Sequence, residues 1–259
     1  MLARSGIQLD LLAHRIAFDT PLARFLTETT EDGTPLQPHW NTPQRTDEWH
    51  EARRHRLTGS RIGTAFGCFA GGDFDKYSQQ VDLLFKQMSG TTAPGEGEPP
   101  SGSFEQRRMD YGVENEPQAE TAFKHLYRQK HEKPSLVRNI GMLLRPDMPW
   151  VGGSVDGIDQ NMEYITEYKC RMGSAHTKPS DYHIMQCQWN MMVVNRETVD
   201  RCYWLSWSRR NVNWQPLLRY DSEEPKFIDM AREFYTQYID WCEERDIQIP
   251  ADMLRCFNR

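Results

Sequence analysis

The sequence predicts one α/β domain with a central mixed sheet flanked by helices. Three observations carry this prediction. Short apolar segments rich in β-branched and aromatic residues follow a long helical stretch and run up to residue 170. One further segment of that kind, "RCYWLSWS" (201–208), comes after another helical stretch. An amphipathic run, "EEPKFIDMAREFYTQYIDWCEERD" (223–246), closes the chain. Strands interleaved with helices in this order pack best as a sheet covered by helices.

Along the chain, residues 1–30 read as a helical N-terminal piece with Leu9, Leu12 and Ile16 at helical spacing. A Pro-rich connector, "TEDGTPLQPHWNTPQ" (30–44), follows, so residues 1–44 read as an extension and residues 45–259 as the domain proper. "TDEWHEARRHRL" predicts a helix with Thr46 as N-cap and Asp47 and Glu48 in the first turn, where they favour the macrodipole. Thr58 or Ser60 is placed to cap a second short helix, and residues 74–90 predict a helix ending at Gly90. The small-residue and Pro run at 89–103 reads as a mobile loop. Residues 104–130 predict a long helix kinked by Gly112 and Pro117. "LVRNIGMLLR", "WVGGSVDGI" and "MEYITEYKC" predict strands joined by tight turns, and residues 180–195 predict a helix.

With 38% hydrophobic and 26% charged residues, 259 residues suffice to bury a proper core. No run reaches the roughly 18 apolar residues of a membrane span. Asp10, His14 and Arg15 interrupt the N-terminal apolar residues, which argues against a secretory signal. The six cysteines form no CxxC pair, which argues against zinc and disulfides and for a reducing cytoplasm. A net charge of −6 is not that of an obvious nucleic-acid binder, yet "EARRHRLTGSR" (51–61) is locally basic.

The chemistry concentrates in "GGSVDGIDQNMEYITEYKC" (152–170). Glu167 and Lys169 lie two apart on a strand and so share a face. Asp156 meets them if residues 150–158 pair with 163–170 through a turn around Asp159–Asn161. Two carboxylates at one point suit a hard cation such as Mg²⁺, and a lysine beside them can orient or deprotonate a metal-bound water for attack on a phosphate. A solvated cross-strand patch of the same residues is the competing reading of this segment alone.

Four blocks in order resolve that competition by resemblance. "EWHEARRHRLTGSRIG" carries a Trp (Trp49), an Arg four residues on (Arg53), and "LTGS" ending at Ser60, like an I-T-A-S stretch. "YGVENEPQAETAF" carries Gly112, Glu116 and Ala119 in a G-x-x-x-E-x-x-A pattern. "SVDG…EYKC" resembles S-P-D-G followed by E-x-K-C, with Val155 in place of Pro. "YHIMQCQWNMMV" supplies a Gln after the catalytic strand, Gln186 or less favourably Gln188. Together, over residues 45–207, these resemble the phage lambda exonuclease family of viral recombinases in the PD-(D/E)xK nuclease superfamily. The first forty or so residues and the Pro/Gly loop match nothing of that pattern.

The resemblance implies a restriction-endonuclease-like core and a Mg²⁺- or Mn²⁺-dependent 5′→3′ exonuclease that resects double-stranded DNA ends. Asp156, Glu167 and Glu116 would bind the metal, Lys169 would position the attacking water, and Gln186 would orient the site. Arg53, Ser60 and Ser154 would hold a terminal 5′-phosphate, a role that suits an Arg fork beside hydroxyls. A ring-shaped homotrimer and a single-strand annealing protein are further implied partners. Each residue also has a bland reading: Arg53 as a solvated helix cation, Ser60 as a cap, Glu116 as a first-turn acid, Gln186 as a backbone-bonded helix amide. His50, His55 and His183 read as surface or groove residues, and Trp49, Trp189, Trp204 and Trp207 as core. Two other functions stay open: an alkaline-nuclease-like enzyme cutting internally or acting on RNA, and a catalytically silent DNA-end scaffold.

Overall fold

The computed structural model describes residue 8 and residues 10–257. Along the chain come α1 (Pro21–Thr27), α2 (Asp47–Ala52), β1 (Leu57–Thr58), α3 (Ile62–Ala65), α4 (Phe74–Ser89), α5 (Phe104–Glu114) and α6 (Glu116–His131). The strands β2 (Val137–Arg138), β3 (Leu143–Arg145), β4 (Met148–Gly153), β5 (Gly157–Asp159) and β6 (Tyr164–Cys170) follow. Then come α7 (Asp181–Val194), β7 (Arg201–Trp207), β8 (Val212–Leu218), α8 (Glu224–Glu243) and α9 (Ala251–Leu254).

The strands form two mixed sheets rather than one. β1, β4 and β3 make a three-stranded sheet in that order, with β1 parallel and β3 antiparallel to β4. β2, β5, β6, β7 and β8 make a five-stranded sheet in which only β6 and β7 run parallel. A parallel pair needs a crossover, and α7 supplies it. The apolar segment 150–158 is therefore divided between the sheets: β4 ends at Gly153, and β5 begins at Gly157. Gly157 permits this close passage, since a Cβ there would lie 2.5 Å from Val137 Cγ2 and 2.7 Å from Thr166 Oγ1.

Helix α7 packs on β3 and β4 of one sheet and on β7 of the other. That explains its composition: Cys187, Trp189, Met191, Met192, Val193 and Val194 are all buried, because a helix apolar nearly all round is covered nearly all round. On the opposite face of the larger sheet, α6 lays Ala119, Phe123 and Tyr127 against Tyr164, Tyr168, Tyr203 and Leu205. The alternation along β6 follows. Tyr164 and Tyr168 face α6, whereas Glu167 and Lys169 face α7.

Several expectations are corrected. The helical piece within 1–30 is two pieces, residues 10–13 and α1; Leu12 is exposed, Ile16 is buried, and Leu9 lies outside the described residues. Leu11, Ile16, Leu22, Phe25, Leu26 and Trp40 join the same core cluster as Trp150 and Trp189, so the segment before residue 45 is part of the main packing. The stretch 104–130 breaks at Asn115 into α5 and α6, with Gly112 inside α5 and Pro117 in the first turn of α6, where proline is tolerated. Thr46 caps α2 as expected, accepting from Trp49 N at 3.3 Å. Neither Thr58 nor Ser60 caps α3, whose N-cap is Arg61 without a side-chain bond. Strands β1 and β8 carry no signal read from the sequence. Among the described residues no helix is long and apolar enough to cross a membrane.

Candidate active site

Asp156, Glu167, Lys169 and Gln186 come together where the link between β4 and β5 meets the α7-facing side of β6. Asp156 Oδ2 accepts from the Tyr168 backbone N–H at 2.5 Å, which ties the link to the strand. Glu167 is buried, at 3% exposure, and all its bonds are to side chains. Its Oε1 accepts from Lys169 Nζ (2.6 Å) and Gln186 Nε2 (2.7 Å), and its Oε2 from Asn190 Nδ2 (3.2 Å). Gln186 also accepts from Lys169 Nζ through Oε1 at 3.0 Å, closing a three-membered network. Gln188 points elsewhere, donating to Leu218 O and accepting from Tyr220 N, so Gln186 is the amide of the site.

The electrostatics follow from burial and like charge. Desolvation, then the neighbouring Glu167 charge, push the Asp156 carboxyl well above the usual carboxylate range; Glu116 adds to this, and Lys169 and the Tyr168 N–H oppose it. For Lys169, desolvation favours the neutral amine, but the Glu167 and Asp156 charges outweigh it and raise the ammonium above its ordinary value. Lys169 is therefore a fixed cation at neutral pH.

Glu116, in the first turn of α6, is ion-paired with Arg45 at 2.6 Å. Among the described residues no group of three or more His, Cys, Asp or Glu side chains is placed to hold a metal ion. The gathered acids are thus Asp156 and Glu167, with Glu116 facing them closely enough to act on Asp156 by charge while its own carboxylate is held by Arg45.

Next to this centre, the Arg53 guanidinium lies over the Trp49 ring, 4.2 Å from its centroid, and donates through Nη2 to Thr58 Oγ1 (3.0 Å) and Ser60 Oγ (2.7 Å). Trp49 Nε1 donates to Ser154 Oγ at 3.0 Å, so the three residues singled out in the sequence share one wall through Trp49. Among the described residues no carboxylate pairs with Arg53, and burial, then the Arg61 charge, push its pKa down to about 9, where it remains cationic at neutral pH. Arg61 holds the turn, donating to the backbone oxygens of Arg53 and Arg56.

Two residues escaped sequence reasoning, Asn190 and Arg45, and Thr58, read only as a possible cap, instead accepts from Arg53. Asn190 had a legible signal, being four residues after Gln186 and hence on the same helix face. Arg45 had none, since its partner is 71 residues away. Of the histidines read as surface or groove residues, His55 is instead buried against Tyr238 OH (2.7 Å), while the half-buried His183 takes part through Nδ1 in the capping box of α7.

The fold is an α/β architecture shared with solved alkaline exonuclease structures. The alkaline exonuclease LHK-Exo from Laribacter hongkongensis matches with a TM-score of 0.58 at 20% identity, covering 78% of this chain and 96% of its own. Its complex with dAMP matches with the same TM-score and identity over 77% and 95%. No curated protein matches the chain. The YqaJ-like viral recombinase domain matches residues 48–197, and the chain belongs to that family.

Proposed function

We propose that the protein is a metal-dependent deoxyribonuclease that degrades double-stranded DNA from 5′ ends and leaves a 3′ single strand for annealing recombination. The observation that carries this reading is the buried Glu167, held by Lys169, Gln186 and Asn190 with Asp156 beside it, next to an Arg53 without an acid partner among the described residues. LHK-Exo, the structural neighbour, is an alkaline exonuclease and has been crystallised with dAMP, a mononucleotide of the kind DNA degradation releases.

The donor set fits a divalent cation. Asp156 and Glu167 offer oxygens only, as a hard cation prefers, and their mutual repulsion in a desolvated site is what a dication relieves. Mg²⁺ or Mn²⁺ bound there would stabilise charge on the phosphate under attack. The remaining work falls to the chain itself. Gln186 and Asn190 fix the Glu167 rotamer, so the acid is preorganised. Lys169, bonded through Nζ to Glu167 and Gln186, is placed to donate to the attacking water and to act by its charge. Arg53 and the Ser60 and Ser154 hydroxyls are suited to a terminal phosphate dianion, whose capture would set the direction of cutting. In this reading a ring-shaped homotrimer encloses the duplex and hands the remaining strand to an annealing protein; sedimentation equilibrium with and without duplex tests the ring.

The test compares linear duplexes bearing 5′-phosphate or 5′-hydroxyl ends with closed circles, in Mg²⁺ and in EDTA. Mononucleotide release from 5′-phosphorylated ends, at least about tenfold faster than from 5′-hydroxyl ends and lost in EDTA, is the expected result. Cutting of closed circles or of RNA would favour the alkaline-nuclease alternative, and retained end binding without cleavage the silent scaffold.

A further inference from the structure

Acids outnumber bases in this chain, 37 to 31, yet six cations gather on one surface without an acid partner among the described residues. They are Arg107 and Arg108 on α5, Arg171 and Lys178 on the loop after β6, and Arg209 and Arg210 in the β7–β8 hairpin turn. Elsewhere on the surface, Arg45, Lys133, Arg196 and Arg201 are each ion-paired.

Hydrogen bonds stitch these segments together. Arg171 N donates to Trp207 O (2.8 Å), Ala175 N to Asn211 Oδ1 (2.9 Å), and Asn213 Nδ2 to His176 O (3.0 Å). Helix α5 packs on β6, and the Arg209 guanidinium stands 5.9 Å from the Tyr111 ring of α5. His176 registers the convergence, its pKa lowered by burial, then by the Arg171 and Arg108 charges. Helix α5 carries Glu105, Asp110 and Glu114 too, none of them in an ion pair, and it buries none of its eleven residues. Such a helix gains little from tertiary burial in the free protein, which leaves its surface open to a partner. Phe104 (62% exposed) and Met172 (45% exposed) sit among the cations, with Arg108 6.0 Å from the Phe104 ring centroid.

We propose that this surface is the track for the DNA backbone beyond the scissile bond, gripping the phosphates that follow the one held near Arg53. The inference rests on the nuclease reading, and its register comes from β6. Lys169 belongs to the catalytic network, and Arg171 lies two residues further along the same chain, at the strand's end. A strand anchored at the Arg53 pocket and bridging the acid pair leaves the centre past Arg171. Unpaired cations are the complement of a phosphate backbone, and neutralising each phosphate releases condensed counterions.

The experiment measures binding of a 5′-phosphorylated duplex with a recessed end, by fluorescence anisotropy from 50 to 200 mM salt, in a Lys169→Ala background that cannot degrade it. Arg209→Ala/Arg210→Ala and, separately, Arg107→Ala/Arg108→Ala should each lower the slope of log K against log salt by about 1 to 2. The preference for 5′-phosphate over 5′-hydroxyl ends should stay, because Arg53 is untouched. Arg245→Ala/Arg255→Ala, which removes the same charge elsewhere, should leave the slope unchanged. If neither patch variant changes the slope, or if the remote pair lowers it equally, the track is wrong. If the parent itself binds no duplex, the nuclease reading falls first.

Discussion

Replacing Gly59 by Ala tests how the site is held. An added Cβ would stand 2.5 Å from Asn190 Oδ1 and 3.2 Å from its Cγ, and 3.4 Å from Gln186 Cγ. Backbone strain is not the issue, because Gly59 is absent from the positive-φ glycines. The clash is with one amide, which is 1% exposed and donates to Glu167 Oε2. Overpacking of this kind costs about 1–3 kcal/mol, and losing a hydrogen bond to a buried carboxylate costs about 1.5–3 more. Gly59→Ala is expected to destabilise by roughly 3 kcal/mol, a large part of the typical 5–15 kcal/mol. Asn190→Ser alone should cost about 2 kcal/mol through the lost Glu167 contact. In the double variant the new methyl has room, so it should be no less stable than Asn190→Ser. That is a favourable coupling of at least about 3 kcal/mol. Urea unfolding measures this as a midpoint shift at constant m-value. Additive costs would mean that Asn190 does not hold the position Gly59 leaves open, and the packing argument would fail.

Other outcomes follow from the same geometry. Lys169→Ala should reduce cleavage by at least about a thousandfold while duplex binding survives, since a fixed cation beside the reacting phosphate is lost; gel-based turnover checks it. Arg53→Lys should remove most of the preference for 5′-phosphate ends, because an ammonium cannot reproduce the guanidinium's stack on Trp49 and its fork; competition between phosphorylated and dephosphorylated duplexes measures this. Phe123→Ala, which empties the centre of the aromatic cluster on α6, should cost about 3–5 kcal/mol by urea unfolding. His55 is buried, and burial, then the Arg54 charge, lower its pKa to about 4 from an ordinary 6.5. The unfolded chain therefore binds a proton that the folded chain refuses. The corresponding stability, about 3 kcal/mol, is whole above pH 6.5 and lost as pH falls towards 4. His55→Asn, which tolerates the left-handed backbone there (φ 54°), should flatten that part of the pH–stability curve.

The acid–acid–lysine centre was legible because its parts lie on one strand and its preceding turn, where a spacing of two fixes the face and one turn fixes the partner. The arginine pocket was legible only through resemblance: Arg53 and Ser60 are local to each other, but Ser154 reaches them through Trp49, 105 residues from its bonding partner. The division into two sheets was not legible. A Gly-rich segment such as 152–157 reads equally well as a continuous strand or as a crossing, and which it is depends on α7 filling the space between sheets. Strand β8 was missed because Pro216 and alternating polar residues mask it; as the edge strand of its sheet it tolerates both. His55 misled for a related reason. Within "ARRHR" it has the company of a surface residue, and only the left-handed turn at that position swings it inward onto Tyr238.

The place of the centre explains these failures together. Asp156 comes from the link between the sheets, Glu167 and Lys169 from the larger sheet, and Gln186 and Asn190 from the helix wedged between them. Asp156 is held to β6 by the Tyr168 N–H, and the Glu167 carboxylate by side chains of α7, so the relation of the two acids depends on how α7 seats as well as on the strand. Gly59 shows how fine that seating is, for the resembling stretch has alanine where this chain has glycine, and here the methyl's volume is taken by the Asn190 amide. A carboxylate pair desolvated enough to repel and yet held still must draw its rigidity from neutral neighbours, since a second fixed cation would remove the deficit that a metal ion would answer. Gln186 and Asn190 are such neighbours: they hold Glu167 with neutral hydrogen bonds and leave Lys169 as the one formal positive charge bonded to it.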